Sequence, residues 1–178
     1  RIIGGDARGR TIVAPAGAKT RPTQDYVRES LFNIIRWDVE DARVLDLFCG
    51  TGALGLEALS RGAREAVFND LSRDSVRIVG ENIRKLGLAR DEAKVYNLDY
   101  SVCLDRLEGK FNIVFLDPPY RLDCGAEALK KLAGRGLLAE GGVAVLERDV
   151  LPDGEIPGLE RFDERKYGKA KFAFYRPV

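Results

Sequence analysis

The sequence predicts an α/β protein with a doubly wound, mostly parallel sheet of seven strands. Short apolar runs alternate with segments whose apolar residues recur at helical spacing, as in successive strand–helix–strand units. Residues 111–116 are almost wholly apolar, which is typical of a parallel strand that is buried on both faces. Residues 161–176 alternate around Gly168, which predicts a carboxyl-terminal antiparallel hairpin that closes the sheet.

Five apolar runs predict the parallel strands, and four segments with helical periodicity predict the helices. The strands are residues 44–48, 66–68, 94–96, 111–116 and 142–146, and the helices are residues 25–37, 54–59, 75–86 and 126–132. Ligands of such sheets bind beyond the carboxyl ends of the strands. We therefore expect the functional residues directly after strands one to four.

A small extension precedes the first strand, and we place its end at residue 37, with residues 38–178 forming the main domain. Two β-like runs at residues 2–3 and 10–13 are separated by glycine-rich sequence, which predicts a β-hairpin. Thr23 is placed to cap the helix that follows, in which Val27, Leu31 and Ile34 share one face.

Composition narrows the classes of function. The 178 residues include 29 Lys+Arg and 28 Asp+Glu but no His, which excludes imidazole catalysis and His-ligated zinc. The three cysteines form no CxxC pair, so neither a metal site nor a disulfide framework is predicted. No apolar run reaches the roughly 18 residues of a membrane span, and no signal-peptide pattern opens the sequence. We expect a cytoplasmic protein without a membrane partner.

Positive charge is concentrated at the two ends of the sequence. Residues 1–36 carry seven basic and three acidic groups, and residues 161–178 carry six and two, whereas residues 37–160 carry 16 and 23. Basic ends on an acidic body favour contact between the termini and a polyanion, and an ordinary solvated surface is the alternative.

A glycine-rich segment after the first strand indicates a cofactor site. Gly50, Gly52 and Gly55 match the pattern G-x-G-x-x-G. Asp70 ends the second strand, where a carboxylate can accept hydrogen bonds from a ribose, and Asp99 follows the third strand near an adenine edge. A nicotinamide dinucleotide would bring a pyrophosphate to this loop, whereas S-adenosylmethionine brings a sulfonium and an ammonium. The preceding Asp46 carboxylate suits those cations and favours S-adenosylmethionine, and a purely structural turn is the remaining alternative.

Asp117, Pro118, Pro119 and Tyr120 follow the fourth strand and suggest the reaction. The two prolines fix the backbone and remove two donors, so the segment presents carbonyl oxygens and the Asp117 carboxylate as acceptors. Such acceptors can hold the hydrogens of an exocyclic nucleobase amine and orient its nitrogen toward a methyl carbon. The Tyr120 ring can stack on the base, and no metal or covalent intermediate is needed. A proline-rich structural turn is the alternative.

The Asp-Pro-Pro-Tyr segment resembles the motif of methyltransferases that act on amino groups, including DNA adenine enzymes and, as a close variant, enzymes that modify glutamine. The chain is similar to the RsmD family over almost its whole length. The similarity is carried by residues 21–33 (RPTQDYVRESLFN) and 44–63 (VLDLFCGTGALGLEALSRGA), with residues 1–5 and 166–168. That family methylates N2 of one guanine in 16S rRNA, and the resemblance implies a Rossmann-like class I S-adenosylmethionine methyltransferase fold.

The resemblance also implies three sets of residues. Cofactor contacts would be Asp46, Phe48, Gly50, Gly52, Asp70, Leu71 and Asp99, with Arg21 and Thr23 closing over cofactor and target. The amine site would be Asp117, Pro118, Pro119 and Tyr120, and RNA contacts would be Arg8, Arg10, Arg28, Lys166, Lys169 and Lys171. We expect a monomer, and the implied partner is 16S rRNA in the small ribosomal subunit or its assembly intermediate. A DNA adenine or protein glutamine methyltransferase, or a non-catalytic RNA-binding module, would be the alternative.

Overall fold

Seven strands form one mixed sheet in a computed structural model that describes residues 1–15, 22–119 (backbone only at 22 and 23) and 122–178. The strands are β1 (Arg43–Asp46), β2 (Glu65–Asn69), β3 (Ala93–Tyr96), β4 (Phe111–Leu116), β5 (Leu138–Arg148), β6 (Leu159–Tyr167) and β7 (Ala170–Pro177). Their spatial order is β3-β2-β1-β4-β5-β7-β6. The first five strands are parallel, whereas β7 is antiparallel to both β5 and β6. The predicted doubly wound sheet and closing hairpin are confirmed.

Helices pack on both faces of this sheet. They are α1 (Pro22–Ile34), α2 (Ala53–Ser60), α3 (Arg73–Lys85), α4 (Tyr100–Arg106) and α5 (Gly125–Gly134). One apolar cluster on the side of α1 to α3 contains Phe32, Phe68 and Phe115, and the cluster on the opposite face contains Phe111 and Leu129. Both faces of the central parallel strands β1, β2 and β4 are therefore covered, as a parallel sheet requires. Among the described residues, the helices are too short or too polar to cross a lipid bilayer.

The short helix α4 has no counterpart in the sequence prediction. It contains only seven residues, which is less than two turns and too short for apolar residues to recur at a clear helical spacing in the sequence. Its stability depends instead on a cap, because the Asp99 carboxylate accepts a hydrogen bond from the Ser101 amide at 2.9 Å.

The predicted amino-terminal β-hairpin is wrong in detail, since residues 1–15 contain no strand. The Ile2 amide donates to the Arg10 carbonyl and the Gly9 amide to the Ile2 carbonyl, both at 2.8 Å, which closes a loop. The next two amides, of Ile3 and Gly4, donate to Glu57 on α2 at 2.9 Å. Because these donors are directed at a carboxylate on a helix, no ladder can propagate along the segment.

Candidate active site

A cavity of about 510 Å³ opens at the carboxyl ends of β1, β2, β3 and β4, where the order of the strands reverses. Its volume lies in the usual range of small-molecule sites, about 300–1,000 Å³. We call it the cofactor cavity. Its lining includes six predicted cofactor residues and three residues of the Asp-Pro-Pro-Tyr segment: Asp46, Phe48, Gly50, Asp70, Leu71, Asp99, Asp117, Pro118 and Pro119. Arg21, Tyr120 and the Thr23 side chain lie outside the described residues.

The three glycines of the loop have different roles. Gly50 has a φ of 55° and a Cβ built on it would meet nothing within 4 Å, so its side of the backbone is open to the cavity. A Cβ on Gly52 would lie 2.5 Å from Val79, and one on Gly55 would lie 2.3 Å from the Phe68 ring. Gly52 and Gly55 therefore allow close packing of α2, and Gly50 allows close approach of a ligand.

Asp46 is buried at the end of β1, and its carboxylate accepts a hydrogen bond from the Gly55 amide at 3.1 Å. Burial raises the pKa of Asp46 to about 7, the hydrogen bond from Gly55 opposes this rise, and the negative charge of Asp70 adds to it. A cation placed in the cofactor cavity would favour the ionised form. The carboxylate therefore serves as a helix cap and offers a counter-charge to a ligand.

Asp70 and Asp99 hold backbone amides at the rim of the cofactor cavity. Asp70 accepts from Gly50 and Ser72, both at 2.9 Å, which ties the glycine loop to the end of β2. Asp99 caps α4 through Ser101. A carboxylate has about four acceptor positions, so neither residue is saturated by these bonds. Both predicted carboxylates thus shape the cavity and keep acceptor capacity for a ligand.

Sequence reasoning missed Asn69 and Tyr100, which also line the cofactor cavity. The buried Asn69 amide donates to the carbonyls of Leu47 and Leu98 at 3.2 and 3.0 Å, so it joins the ends of three strands. The Tyr100 ring lies 5.5 Å from the Phe48 ring between centroids. The position of Asn69 at the end of a strand could have indicated it, whereas Tyr100 depends on the unpredicted α4.

A second cavity of about 540 Å³ adjoins the first at Asp117. We call it the target cavity. It is bounded by α1, by the β6–β7 turn and by the carboxyl ends of β4 and β5. Its lining includes Gln24, Val27, Arg28, Asp117, Glu147, Tyr167 and Lys169. Asp117 lines both cavities, so its carboxyl group can contact a group bound in either one.

The electrostatics of Asp117 are set by its neighbours in the cleft. The side chain is reachable from the cavities although protein atoms surround it. Desolvation by these atoms raises the pKa of Asp117 well above its ordinary value, the carboxyl of Glu147 raises it further, and Arg148 opposes the rise. Burial also raises the pKa of Glu147. Each carboxyl group therefore keeps its proton to higher pH than an isolated carboxyl would.

The segment after Asp117 is held by a buried arginine at the end of β5, which sequence reasoning missed. Arg148 donates through Nη1 to the carbonyls of Pro119 and Leu122 at 2.9 and 3.3 Å, and the Leu122 amide also donates to Pro119 at 2.9 Å. This corrects one expectation, because the Pro119 carbonyl is used to anchor the loop. Within residues 1–15, 22–119 and 122–178 the Pro118 carbonyl has no such donor.

The predicted RNA residues fall in separate places. Lys169 lines the target cavity, whereas Lys166 and Lys171 face each other across β6 and β7. Both line a groove whose other charged residues are Arg161, Arg165, Asp153 and Glu164. Like charges at paired positions repel, so this pair does not stabilise the hairpin.

The other predicted RNA residues are held by the protein itself. Arg28 forms ion pairs with Asp25 and Glu57, both at 3.3 Å, and it also donates to the carbonyl of residue 1. Arg10 donates to the carbonyl of Lys85, the last residue of α3, at 2.7 Å. Arg8 lies in the same exposed loop. Neither Arg8 nor Arg10 lines the cofactor cavity or the target cavity.

Comparison with known proteins assigns the family. The family model "Conserved hypothetical protein 95" matches residues 1–176. The chain is 39% identical over 150 residues to "Ribosomal RNA small subunit methyltransferase D" of Escherichia coli (strain K12), which covers 84% of this chain and 75% of that protein. The chain belongs to the RsmD family. This RsmD-family chain is also 37% identical to "Putative rRNA methyltransferase YlbH" of Bacillus subtilis, over 99% of this chain and 98% of that protein.

Solved structures agree with the RsmD assignment. "Putative methyltransferase yhhF from Escherichia coli" is 33% identical, with a TM-score of 0.87 over 99% of this chain and 97% of that chain. A more distant likeness is to "a putative methyltransferase complexed with SAH", with 16% identity and a TM-score of 0.66 over 89% of this chain and 50% of that chain. At that identity it shows the fold alone. The class I methyltransferase fold implied by the RsmD resemblance is confirmed.

Proposed function

We propose that this chain transfers a methyl group from S-adenosylmethionine to the exocyclic N2 of a guanine in 16S rRNA. One observation carries the proposal: Asp117 lines both the cofactor cavity and the target cavity. A methyl donor in the first and an amine in the second would meet beside its carboxyl group. The name of the Escherichia coli relative, an rRNA small subunit methyltransferase, supports the same substrate class.

The residues of the cofactor cavity fit S-adenosylmethionine. The Asp46 carboxyl offers a counter-charge for its cationic groups, Asp70 has acceptor capacity for a ribose, and the apolar Phe48 and Leu71 can cover an adenine. When bound, the sulfonium supplies an electrophilic methyl carbon. The cavity thus offers partners for the cationic groups and the ribose of S-adenosylmethionine, and the loop after Asp46 does not need to bind a phosphate.

Asp117 would act on the amine. Its carboxylate accepts one N2 hydrogen, which orients the nitrogen toward the methyl carbon in the adjoining cavity. The same carboxylate receives the proton that N2 must lose once it carries the methyl group. Arg148 keeps the following loop in place through Pro119 and Leu122, so the carboxylate is held before substrate arrives. Stacking by Tyr120 stays a prediction.

The function is tested by transfer of a labelled methyl group from S-adenosylmethionine to small ribosomal subunits that lack the modification. Naked 16S RNA, duplex DNA and the Asp117→Ala enzyme run in parallel, and the product is digested to nucleosides. We expect N2-methylguanosine from subunits and none from the variant. Methyladenine from DNA without product on subunits would overturn the substrate, and no transfer to any of them would leave a binding module.

The partner, oligomeric state and location follow from the same proposal. A target in the small subunit or its assembly intermediate would place the enzyme in the cytoplasm, and we expect it to act as a monomer. The division at residue 37 into a target-side extension and a methyltransferase domain likewise stays a prediction. Sedimentation of the purified protein with and without subunits measures the oligomeric state and the complex together.

Replacing Lys169 and Lys171 by glutamine should weaken RNA binding and flatten its salt dependence. Each phosphate contact contributes roughly 0.7–0.9 to the slope of log K against log salt, so loss of two should lower the slope by about 1.5. The matched control is Lys110→Gln with Lys130→Gln, since the exposed Lys110 directly precedes β4, at the amino-terminal end of that strand, and Lys130 is exposed on α5. If the two double variants change the slope equally, the hairpin that carries Lys169 and Lys171 does not contact the RNA.

Binding of S-adenosylmethionine should strengthen as pH rises from about 5.5 to 6.5. The pKa of Asp46 is raised to about 7, so this carboxyl is mostly protonated in that range, and a cationic ligand binds the ionised form. Below the pKa the affinity should rise up to about tenfold per pH unit. Calorimetry of the wild type and Asp46→Asn measures this. The variant should bind weakly with little pH dependence, and a flat wild-type profile would exclude Asp46 as the counter-charge.

A further inference from the structure

A second carboxyl group stands beside Asp117 at the end of the neighbouring strand. β4 and β5 are parallel, and their last paired residues are Leu116 and Leu146. Asp117 and Glu147 follow these residues directly, so both project to the face of the sheet covered by α1, and both line the target cavity. Two acidic side chains at neighbouring positions repel when both are ionised. The fold thus holds two carboxyl groups at an electrostatically unfavourable separation in the cavity where the substrate is expected.

Such a pair fits a ligand that presents two adjacent hydrogen-bond donors. Ionised carboxylates only accept hydrogen bonds, so two neighbouring donors on a ligand would stabilise both of them in the ionised form. Guanine carries N1–H beside its N2 amine, so its Watson–Crick edge offers two neighbouring donors. A purine with an amine at C2 but no N1 hydrogen places a lone pair against the second carboxyl group once that group is ionised.

We propose that Glu147 accepts the N1–H of the target guanine while Asp117 accepts an N2–H, so that the pair selects guanine over purines that lack the N1 hydrogen. This inference rests on the function proposed above. Glu147 is then a specificity-determining residue of the target cavity, and Asp117 remains the residue beside the reacting nitrogen. The base edge would be reachable only after the guanine leaves its stack, as enzymes that modify bases require.

The test uses 2-aminopurine, which keeps the C2 amine but has no N1 hydrogen. After the methylated position has been mapped, subunits are reconstituted with guanine or 2-aminopurine there. At alkaline pH, where both carboxyl groups are ionised, wild-type enzyme should prefer guanine by about 10- to 100-fold in kcat/KM, the usual effect of losing one hydrogen bond to a charged group. The Glu147→Gln enzyme should lose that preference, because a glutamine amide can either donate to a bare N1 or accept from N1–H.

A matched control is Glu160→Gln, on β6, where the side chain is exposed and paired with Arg176. It should keep the wild-type preference. Equal rates of the wild type on both bases, or an unchanged preference in Glu147→Gln, would overturn the inference. The wild-type comparison needs no variant, so it decides even if Glu147→Gln does not fold. Absence of any guanine methylation by the wild type would instead refute the proposed function.

A pH profile at saturating cofactor separates this role from a structural one. The charged groups around Asp117 are Glu147, Asp46 and Arg148, with Arg28 and Lys169 lining the same cavity. Asp117 must be ionised to accept from N2, and the negative charge of Glu147 raises its pKa. The acid limb of kcat should therefore move to lower pH in Glu147→Gln. An unmoved limb would contradict the contact between the two carboxyl groups.

Discussion

Replacement of Asp117 by asparagine should reduce kcat by about a thousandfold while S-adenosylmethionine binding changes little. Asparagine keeps the size of the side chain and one acceptor oxygen, but it cannot take the proton that the methylated nitrogen loses. Removal of a positioned proton acceptor costs about 10²–10⁴ in rate. The measurement is methyl transfer to unmodified small subunits under single-turnover conditions, with cofactor affinity determined in parallel by calorimetry.

The same substitution should not destabilise the protein. Asp117 stands beside Glu147 and near Asp46, and a neutral side chain removes its repulsion with both. We expect a melting temperature equal to or above that of the wild type, a behaviour typical of functional sites that hold like charges together. A kcat within about fivefold of the wild type would contradict the proposed role, since a general base contributes far more.

The parallel strand–helix units and the cofactor loop could be predicted because local patterns determine them. Alternating apolar runs and helical periodicity identify the parallel units, and the glycine pattern after β1 locates the switch point of the sheet. The pattern could not separate the roles of its glycines. Gly55 must be small because the Phe68 ring lies against it, and that ring belongs to another strand. A contact between elements is invisible to a local motif.

Glu147 and Arg148 were missed for the same reason. They end the apolar run of β5 as an ordinary charged pair, about 30 residues after Asp117. Only the parallel register of β4 and β5 places Glu147 beside the Asp117 carboxyl and Arg148 against the loop that follows Asp117. Both residues directly follow the fifth predicted strand, so the rule that functional residues follow strands identifies them when it includes that strand.

Replacement of Glu57 by alanine should lower the free energy of unfolding by about 3 kcal/mol. Its carboxylate is fully buried on α2 and accepts from the amides of Ile3 and Gly4 at 2.9 Å. It also pairs with Arg61 at 2.8 Å and with Arg28 at 3.3 Å. Alanine would leave two amides and the Arg61 guanidinium without their acceptor and would remove one of the partners of Arg28. Breaking such a buried cluster costs about 3–5 kcal/mol.

Thermal unfolding and limited proteolysis measure this effect together. A loss of about 3 kcal/mol should lower the melting temperature by about 6–12 °C for a chain of this size. Because Glu57 binds the amino-terminal loop, that loop should also be cleaved faster in Glu57→Ala. The control is Glu81→Ala, which removes an exposed pair with Arg77 on α3 and should cost less than about 1 kcal/mol. Equal shifts in both variants would show that burial adds nothing to the Glu57 cluster.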